Sequence, residues 1–260
     1  PSRNTFMAIT RNDIIQYTPA ADTLSNRVIL ITGAGDGIGR AVAEDCAAKG
    51  ATVVLLGKTV GKLEAVYDSI VNQGGPQPAI YPMDLRHATW DDYQHLAATI
   101  KSELGQLNGM VINAASVPSL MPFQQITPQL YQEIMTVNLH APFLMIQTCL
   151  PLLRESTDPA IVMSTHTTNR AYWGSFGIAK AGLVGMLDIL AHELDVADRP
   201  VRVNGVDTGP VFTNLRQAIY PAEVASDVPQ PADITAPYLY FLSEDSRGTT
   251  GINLKMDTDS

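Results

Sequence analysis

Arg27-Val28-Ile29-Leu30-Ile31-Thr32-Gly33-Ala34-Gly35-Asp36-Gly37-Ile38-Gly39 is the stretch on which the fold turns. Arg27–Ile31 reads as an apolar strand bounded by Asn26 and Thr32. Gly37–Lys49 continues with helical spacing at Ile38, Val42 and Cys46 and stops at Gly50. A glycine-rich loop between a strand and a helix is where backbone N–H groups and the positive end of the helix dipole hold an anion. In that reading Gly33 permits the tight turn, Gly37 lets the backbone approach a pyrophosphate, and Gly39 lets the helix pack closely on the sheet. Thr32, Gly35, Asp36 and Ile38 complete the candidate phosphate site. A helix-entry turn that merely happens to be rich in glycine is the alternative, and the strand and helix on either side favour dinucleotide binding.

Working outward, short apolar strands alternate with longer helical segments. Strands are expected at Thr52–Leu56, Ala79–Tyr81, Met110–Asn113, Ala160–Met163, Val201–Gly205 and Asn253–Met256. Helices are expected at Val60–Gln73, Thr89–Leu104, within Pro128–Leu153, at Gly174–Val196 and at Ala232–Leu242. This pattern predicts a single-domain, Rossmann-type doubly wound α/β fold: about seven parallel strands with helices on both faces. The domain is expected over residues 23–260, with 1–22 an arm or partly a foreign remnant outside the core, because it shows no clear period and contains Pro19.

Composition narrows the partners. A net charge of −9 disfavours nucleic acid, which needs clustered Lys and Arg. No apolar run reaches the roughly 18 residues of a membrane span. The two cysteines, Cys46 and Cys149, fall in helical segments and read as core residues, not as a disulfide or metal framework. His87, His95, His140 and His192 are scattered, so no metal site is expected. No leader of charged, apolar and small residues opens the chain, and the cytoplasm is the expected compartment.

The spacing Thr-Gly-x-x-x-Gly-Ile-Gly resembles the classical short-chain dehydrogenase/reductase superfamily, over roughly Leu24 to Met256. Asp84-Leu85 follows the third strand, where the family places an acid on the adenine. Asn113-Ala114-Ala115 ends the fourth strand, where the family has Asn-Ala-Gly. Val137-Asn138 matches the segment of the family's catalytic asparagine, and Lys180 its catalytic lysine. Gly209-Pro210-Val211-Phe212-Thr213 resembles the loop that closes over the nicotinamide. Leu55-Leu56-Gly57-Lys58 and Pro231-Ala232-Asp233-Ile234 are similar to an enterobacterial-type oxidoreductase subgroup.

The resemblance implies hydride transfer between a nicotinamide and a carbonyl or alcohol carbon of a small molecule. It also implies a homodimer or homotetramer built with the largely apolar helix Gly174–Val196. An acid ending the second strand would bind the ribose hydroxyls of NAD and repel a 2′-phosphate. Here Gly57 and Lys58 stand there, and a lysine neutralises a phosphate as a point charge, so NADP is the expected cofactor and NAD the alternative. Asp36 is an unhelpful negative charge in that loop, and a solvated turn lysine is the plain reading of Lys58.

The catalytic pattern is broken. The family's tyrosine lies four residues before its lysine, on one helix face. Four before Lys180 stands Phe176, which has no proton to transfer. In Ile161-Val162-Met163-Ser164-Thr165-His166, His166 falls on the family's usual serine. The segment to Phe176 is about three residues short, so Ser164 or Thr165 is an alternative occupant. An imidazole titrates near neutrality, about 6.5 when unperturbed, which makes His166 a candidate proton donor; a space-filling histidine beside Phe176 is the blander reading. Tyr172 lies too far from Lys180 along a helix, and Thr167, Thr168 and Ser175 are too weakly acidic to act unaided. Tyr220, Pro221 and Val224 suggest either a substrate lid or an ordinary loop. Two functions follow: an NADP-dependent oxidoreductase with an altered proton donor, in which His166, or a water held through Asn138 and Lys180, handles the proton beside Phe176; or a catalytically silent cofactor-binding or oligomer-partner protein, or one with non-redox chemistry in the same pocket.

Overall fold

The structure, a computed structural model, describes residues 9–196 and 198–256. Seven strands form one parallel sheet: β1 (Val28–Thr32), β2 (Thr52–Gly57), β3 (Ala79–Pro82), β4 (Gly109–Ile112), β5 (Ala160–Thr165), β6 (Arg202–Asp207) and β7 (Asn253–Lys255). Their order is β3-β2-β1-β4-β5-β6-β7. The order reverses between β1 and β4, and a crevice opens there at the carboxyl ends of the strands. Strand β1 is buried along its whole length, which is why it reads as an unbroken apolar run.

The helices are α1 (Arg11–Ile15), α2 (Gly37–Ala48), α3 (Val60–Asn72), α4 (Trp90–Leu104), α5 (Pro128–Met135), α6 (Ala141–Glu155), α7 (Gly174–Glu193), α8 (Asn214–Ile219) and α9 (Ala236–Leu242). They cover the sheet on both faces. Val42, Leu63, Ile70, Tyr238 and Phe241 pack with Ile29, Ile31 and Leu55 in one core cluster. On the other face Leu96, Met145, Leu183 and Leu187 pack with Leu30, Met110 and Ile161. By length and composition alone Pro128–Glu155 and Gly174–Glu193 are apolar enough to cross a membrane. In this fold both supply that second cluster.

Three expectations are corrected. Residues 1–8 lie outside the described residues, but part of the remaining arm joins the core: α1 is capped by Thr10, and its Ile14 is buried in the first cluster. Arg11 donates to the carbonyls of Lys255 at 2.7 Å and Met256 at 2.9 Å, and the Tyr17 ring meets Tyr240 edge-on. The long helix begun at Pro128 is interrupted by a π turn, Thr136–His140. The helix expected from Ala232 is a 3₁₀ turn, Pro231–Ile234, followed by α9, whose second residue, Pro237, lacks the N–H that would continue the preceding turn.

Candidate active site

The glycine loop is set by close packing. A Cβ on Gly39 would lie 2.2 Å from the carbonyl oxygen of Gly33, so only glycine lets α2 start so near the loop. Gly33 itself adopts φ +68° and abuts the Ala114 backbone. Asp36 caps α2: its carboxylate accepts the Gly37 N–H at 2.8 Å, the Lys62 ammonium, and two contacts from the Asn214 amide at 3.1 and 2.9 Å. Burial raises the Asp36 carboxyl, but Lys62, Asn214 and the Gly37 N–H outweigh it and hold it below the usual range. Its charge is therefore matched by Lys62 within the chain, which answers the expectation that it is an unhelpful negative charge in the loop.

A cavity of about 510 Å³ fills the crevice. One end is walled by Gly33, Gly35, Asp36, Gly37 and Ile38, with Lys58 and Lys62 at the end of β2 and the start of α3. Asn113, Ala114 and Ala115 form its floor beyond β4, and Gly209, Val211 and Thr213 its far side. Thr32 and Gly39 lie behind the wall. The Thr32 hydroxyl accepts the N–H groups of Asn113 at 2.8 Å and Ala114 at 2.9 Å, which fixes the floor to β1. Asp84 and Leu85 are not among the lining residues: the Asp84 carboxylate accepts the Arg86 N–H at 3.0 Å, and Leu85 is buried in the second cluster. Pro210 lines a smaller adjoining cavity instead.

Several lining residues escaped the sequence reading: Lys62, Trp173, Asn214 and Arg216. The last two sit on α8, inside the proline-rich stretch read as irregular. Thr213, whose hydroxyl accepts the Arg216 N–H, is the cap that signals this helix.

At the other end of the cavity α7 brings Phe176 and Lys180 beside the end of β5. Phe176 is 4% exposed and packs on Trp173 and Ile134. Lys180 Nζ lies 5.6 Å from the Phe176 ring centroid and donates to the Ser164 carbonyl at 2.8 Å. Burial lowers the Lys180 ammonium to about 8, with the Asp207 carboxylate opposing the shift. Ser164 and Thr165 have engaged hydroxyls: Ser164 Oγ contacts Asn113 Oδ1 at 3.0 Å and the Tyr238 hydroxyl at 2.7 Å, and Thr165 Oγ1 donates to Asn253 at 2.6 Å.

His166 follows them into the cavity wall, edge-on to Trp173. Its buried Nδ1 has no hydrogen-bond partner among the described residues and lies 3.6 Å from Asp207 Oδ1, just beyond hydrogen-bond length. Burial raises the Asp207 carboxyl, but His166 and the donors Thr167 and Gly209 N–H prevail and bring it down to about 2. Asn138 sits in the π turn, a distortion frequent at functional sites. Its amide donates to the carbonyls of Ser116 and Ile134, both at 2.8 Å, and accepts the Ser116 N–H at 3.1 Å. It does not line the cavity. Tyr172 precedes α7 with φ 75°, is 60% exposed and lines neither cavity.

The sequence pattern of the family described as short chain dehydrogenase matches residues 27–224. The chain belongs to that family. It is 36% identical over 241 residues, 92% of its own length and 94% of the other's, to the uncharacterized oxidoreductase YciK of Escherichia coli K12. The fold of the short chain dehydrogenase from Shigella flexneri superposes with a TM-score of 0.90 at 35% identity, covering 94% of this chain and 96% of that one. A Shigella flexneri chain solved in complex with NADP matches with a TM-score of 0.87 at 36% identity, over 91% and 99% of the two chains. An E. coli chain complexed with NADPH matches with a TM-score of 0.87 at 37% identity, over 91% and 99%.

The crevice fits the family's dinucleotide by its own geometry. A Cβ on Gly37 would crowd the cradle, lying 3.1 Å from the Thr213 methyl across it, and the buried Lys180 ammonium spends a single donor on a described partner.

Proposed function

We propose that this short chain dehydrogenase is an NADP-dependent oxidoreductase that interconverts a carbonyl and an alcohol, with His166 taking the part of the missing tyrosine. The glycine loop and the start of α2 hold the diphosphate, Lys58 meets the 2′-phosphate with Lys62 beside it, and Lys180 holds the ribose. Asp84, Leu85 and the segment Gly209–Thr213 are assigned to the same cofactor by family likeness. The relatives solved with NADP and NADPH support this cofactor. When bound, the nicotinamide supplies the hydride that a carbonyl carbon takes up, or accepts it in the reverse direction.

One observation carries the proton assignment. His166 reaches the cavity backed by the Asp207 carboxylate at 3.6 Å, while Phe176 has no hydroxyl and those of Ser164 and Thr165 are engaged. A base oriented by a buried carboxylate is the recurring arrangement of proton-transfer sites, and such contacts often tighten only when substrate binds. In reduction His166 gives its proton to the substrate oxygen and recovers one from solvent; in oxidation it takes that proton. Asp207 is the positioning residue. Asn138, fully engaged with backbone, shapes the wall through Ser116. A homodimer or homotetramer built on α7, where Ile178 and Ile189 are exposed, is the proposed assembly.

The silent reading rests on Phe176 alone. It requires NADPH binding with no turnover of any carbonyl. Steady-state NADPH consumption across an aldehyde and ketone panel separates the two. Turnover that falls about 10²–10⁴-fold in His166→Gln, with NADPH affinity unchanged, supports the proposal. Turnover indifferent to that substitution refutes the histidine assignment, and an inert wild type that still binds NADPH decides against carbonyl reduction and for the silent or non-redox reading.

A further inference from the structure

A second cavity of about 130 Å³ adjoins the crevice and shares His166, Trp173, Gly209 and Arg216 with it. Arg170 and Lys255 complete the charged part of its wall. Three cations thus face one acid, Asp207, in a chain of net charge −9. That acid is already engaged: its oxygens accept from Thr167 and the Gly209 N–H and stand near His166. Arg216 is also engaged, by a two-pronged pair with Glu223 at 2.6 and 2.7 Å. Arg170 and Lys255 are exposed and form no ion pair with any described residue.

Thr168 adds an independent sign. It lines the same cavity, is 7% exposed, and its buried hydroxyl has no hydrogen-bond partner among the described residues. A buried hydroxyl is costly to leave unpaired, and a turn of the Thr168 side chain toward the cavity would let an entering polar group satisfy it. The cavity has room for a carboxylate and a few carbons. His166 stands in the partition between this space and the crevice, so a molecule whose carbonyl meets His166 has only a short reach to the cationic wall.

We infer that the side cavity binds the carboxylate of the substrate, held by Arg170 and Lys255 with Thr168 donating its hydroxyl, and that the substrate is a short oxo acid or the corresponding hydroxy acid. The substrate class rests on the oxidoreductase reading above; the anion site does not. A guanidinium suits a carboxylate because its planar donors engage both oxygens. The neutral isostere of the acid lacks that partner.

The chain has two tryptophans, Trp90 and Trp173. Trp90 is 43% exposed at the start of α4 and lines neither cavity, so Trp90→Phe leaves Trp173, in the wall of both, as the one emitter. This variant, saturated with NADP⁺ so that no oxo acid is reduced, is titrated with 2-oxobutanoate and with methyl 2-oxobutanoate. The acid is expected to quench Trp173 at concentrations about tenfold to hundredfold below the ester, the range of a hydrogen bond to a charged group. Adding Arg170→Gln and Lys255→Gln is expected to abolish that preference and leave the ester unchanged. Equal affinity for acid and ester, no binding of either, a preference that survives the double substitution, or displacement of NADP⁺ by the acid overturns the inference. NADPH consumption is measured separately: binding without turnover refutes the oxidoreductase reading and spares the anion site, whereas turnover without acid preference does the reverse.

Discussion

Replacing Lys180 by methionine is expected to stabilise the cofactor-free protein while weakening its hold on the cofactor. Nζ is buried, and its described partner is the Ser164 carbonyl at 2.8 Å. Burial lowers its titration from 10.5 to about 8, the Asp207 charge opposing. At about 1.4 kcal/mol per tenfold change in proton affinity, keeping the ammonium charged costs the folded chain about 3 kcal/mol at neutral pH. Between about pH 8 and 10.5 the unfolded chain still binds this proton and the folded chain has released it, so the lysine makes stability rise with pH across that window. Methionine keeps the length and removes the charge, and it forfeits the bond to Ser164, worth about 1 kcal/mol. The variant should therefore exceed the wild type by about 2 kcal/mol at pH 7 and lose that lead by pH 10.5. Urea unfolding of both proteins, at one protein concentration and without cofactor, measures the difference at each pH. Groups common to both, including the buried thiols of Cys46 and Cys149, cancel. A difference that stays constant from pH 7 to 10.5 would refute the reasoning.

Three further outcomes are expected. In a His166→Gln background, Phe176→Tyr should return part of the lost carbonyl reduction, within the about 10²–10⁴-fold that a positioned acid contributes; if the double variant stays as slow as the single one, the tyrosine position is no longer competent beside Lys180. Lys58→Ala should lower the NADPH-to-NADH affinity ratio about tenfold at low salt and less at high salt, read by fluorescence titration. An unchanged ratio places the 2′-phosphate elsewhere. Ile14→Ala should cost about 2–4 kcal/mol in urea unfolding; a loss below about 0.5 kcal/mol, the size of a surface change, would contradict its place in the core.

The features legible in the sequence are those that local chemistry fixes. Val28–Thr32 is buried on both faces and so reads as a continuous apolar run, and Gly33 and Gly39 mark a loop whose backbone packs against itself. Phe176 was readable because it lies one helical turn from Lys180. Contacts across the chain were not readable. Asp36 looked unfavourable because its partners Lys62 and Asn214 lie 26 and 178 positions away. His166 could be placed at the end of β5, but Asp207 comes from the neighbouring strand β6 and no local pattern joins them. Helix α8 has six residues between Pro210 and Pro221, too short for a period to show. Ile14 is one buried side chain on a five-residue helix, below what periodicity can detect.

Arg11, Ile14 and Tyr17 dock on segments made at the far end of the chain. The guanidinium of Arg11 binds carbonyls 244 and 245 positions later, and Tyr17 meets Tyr240 and Asp245. A ribosome adds about 5–20 residues each second, so on the order of 10–50 s separates this segment's appearance from that of its berth. During that interval Ile14 and Tyr17 are apolar surface without a native neighbour, open to chaperones and to other nascent chains. The segment translated early is thus seated late, and its docking records that β7 has been synthesised.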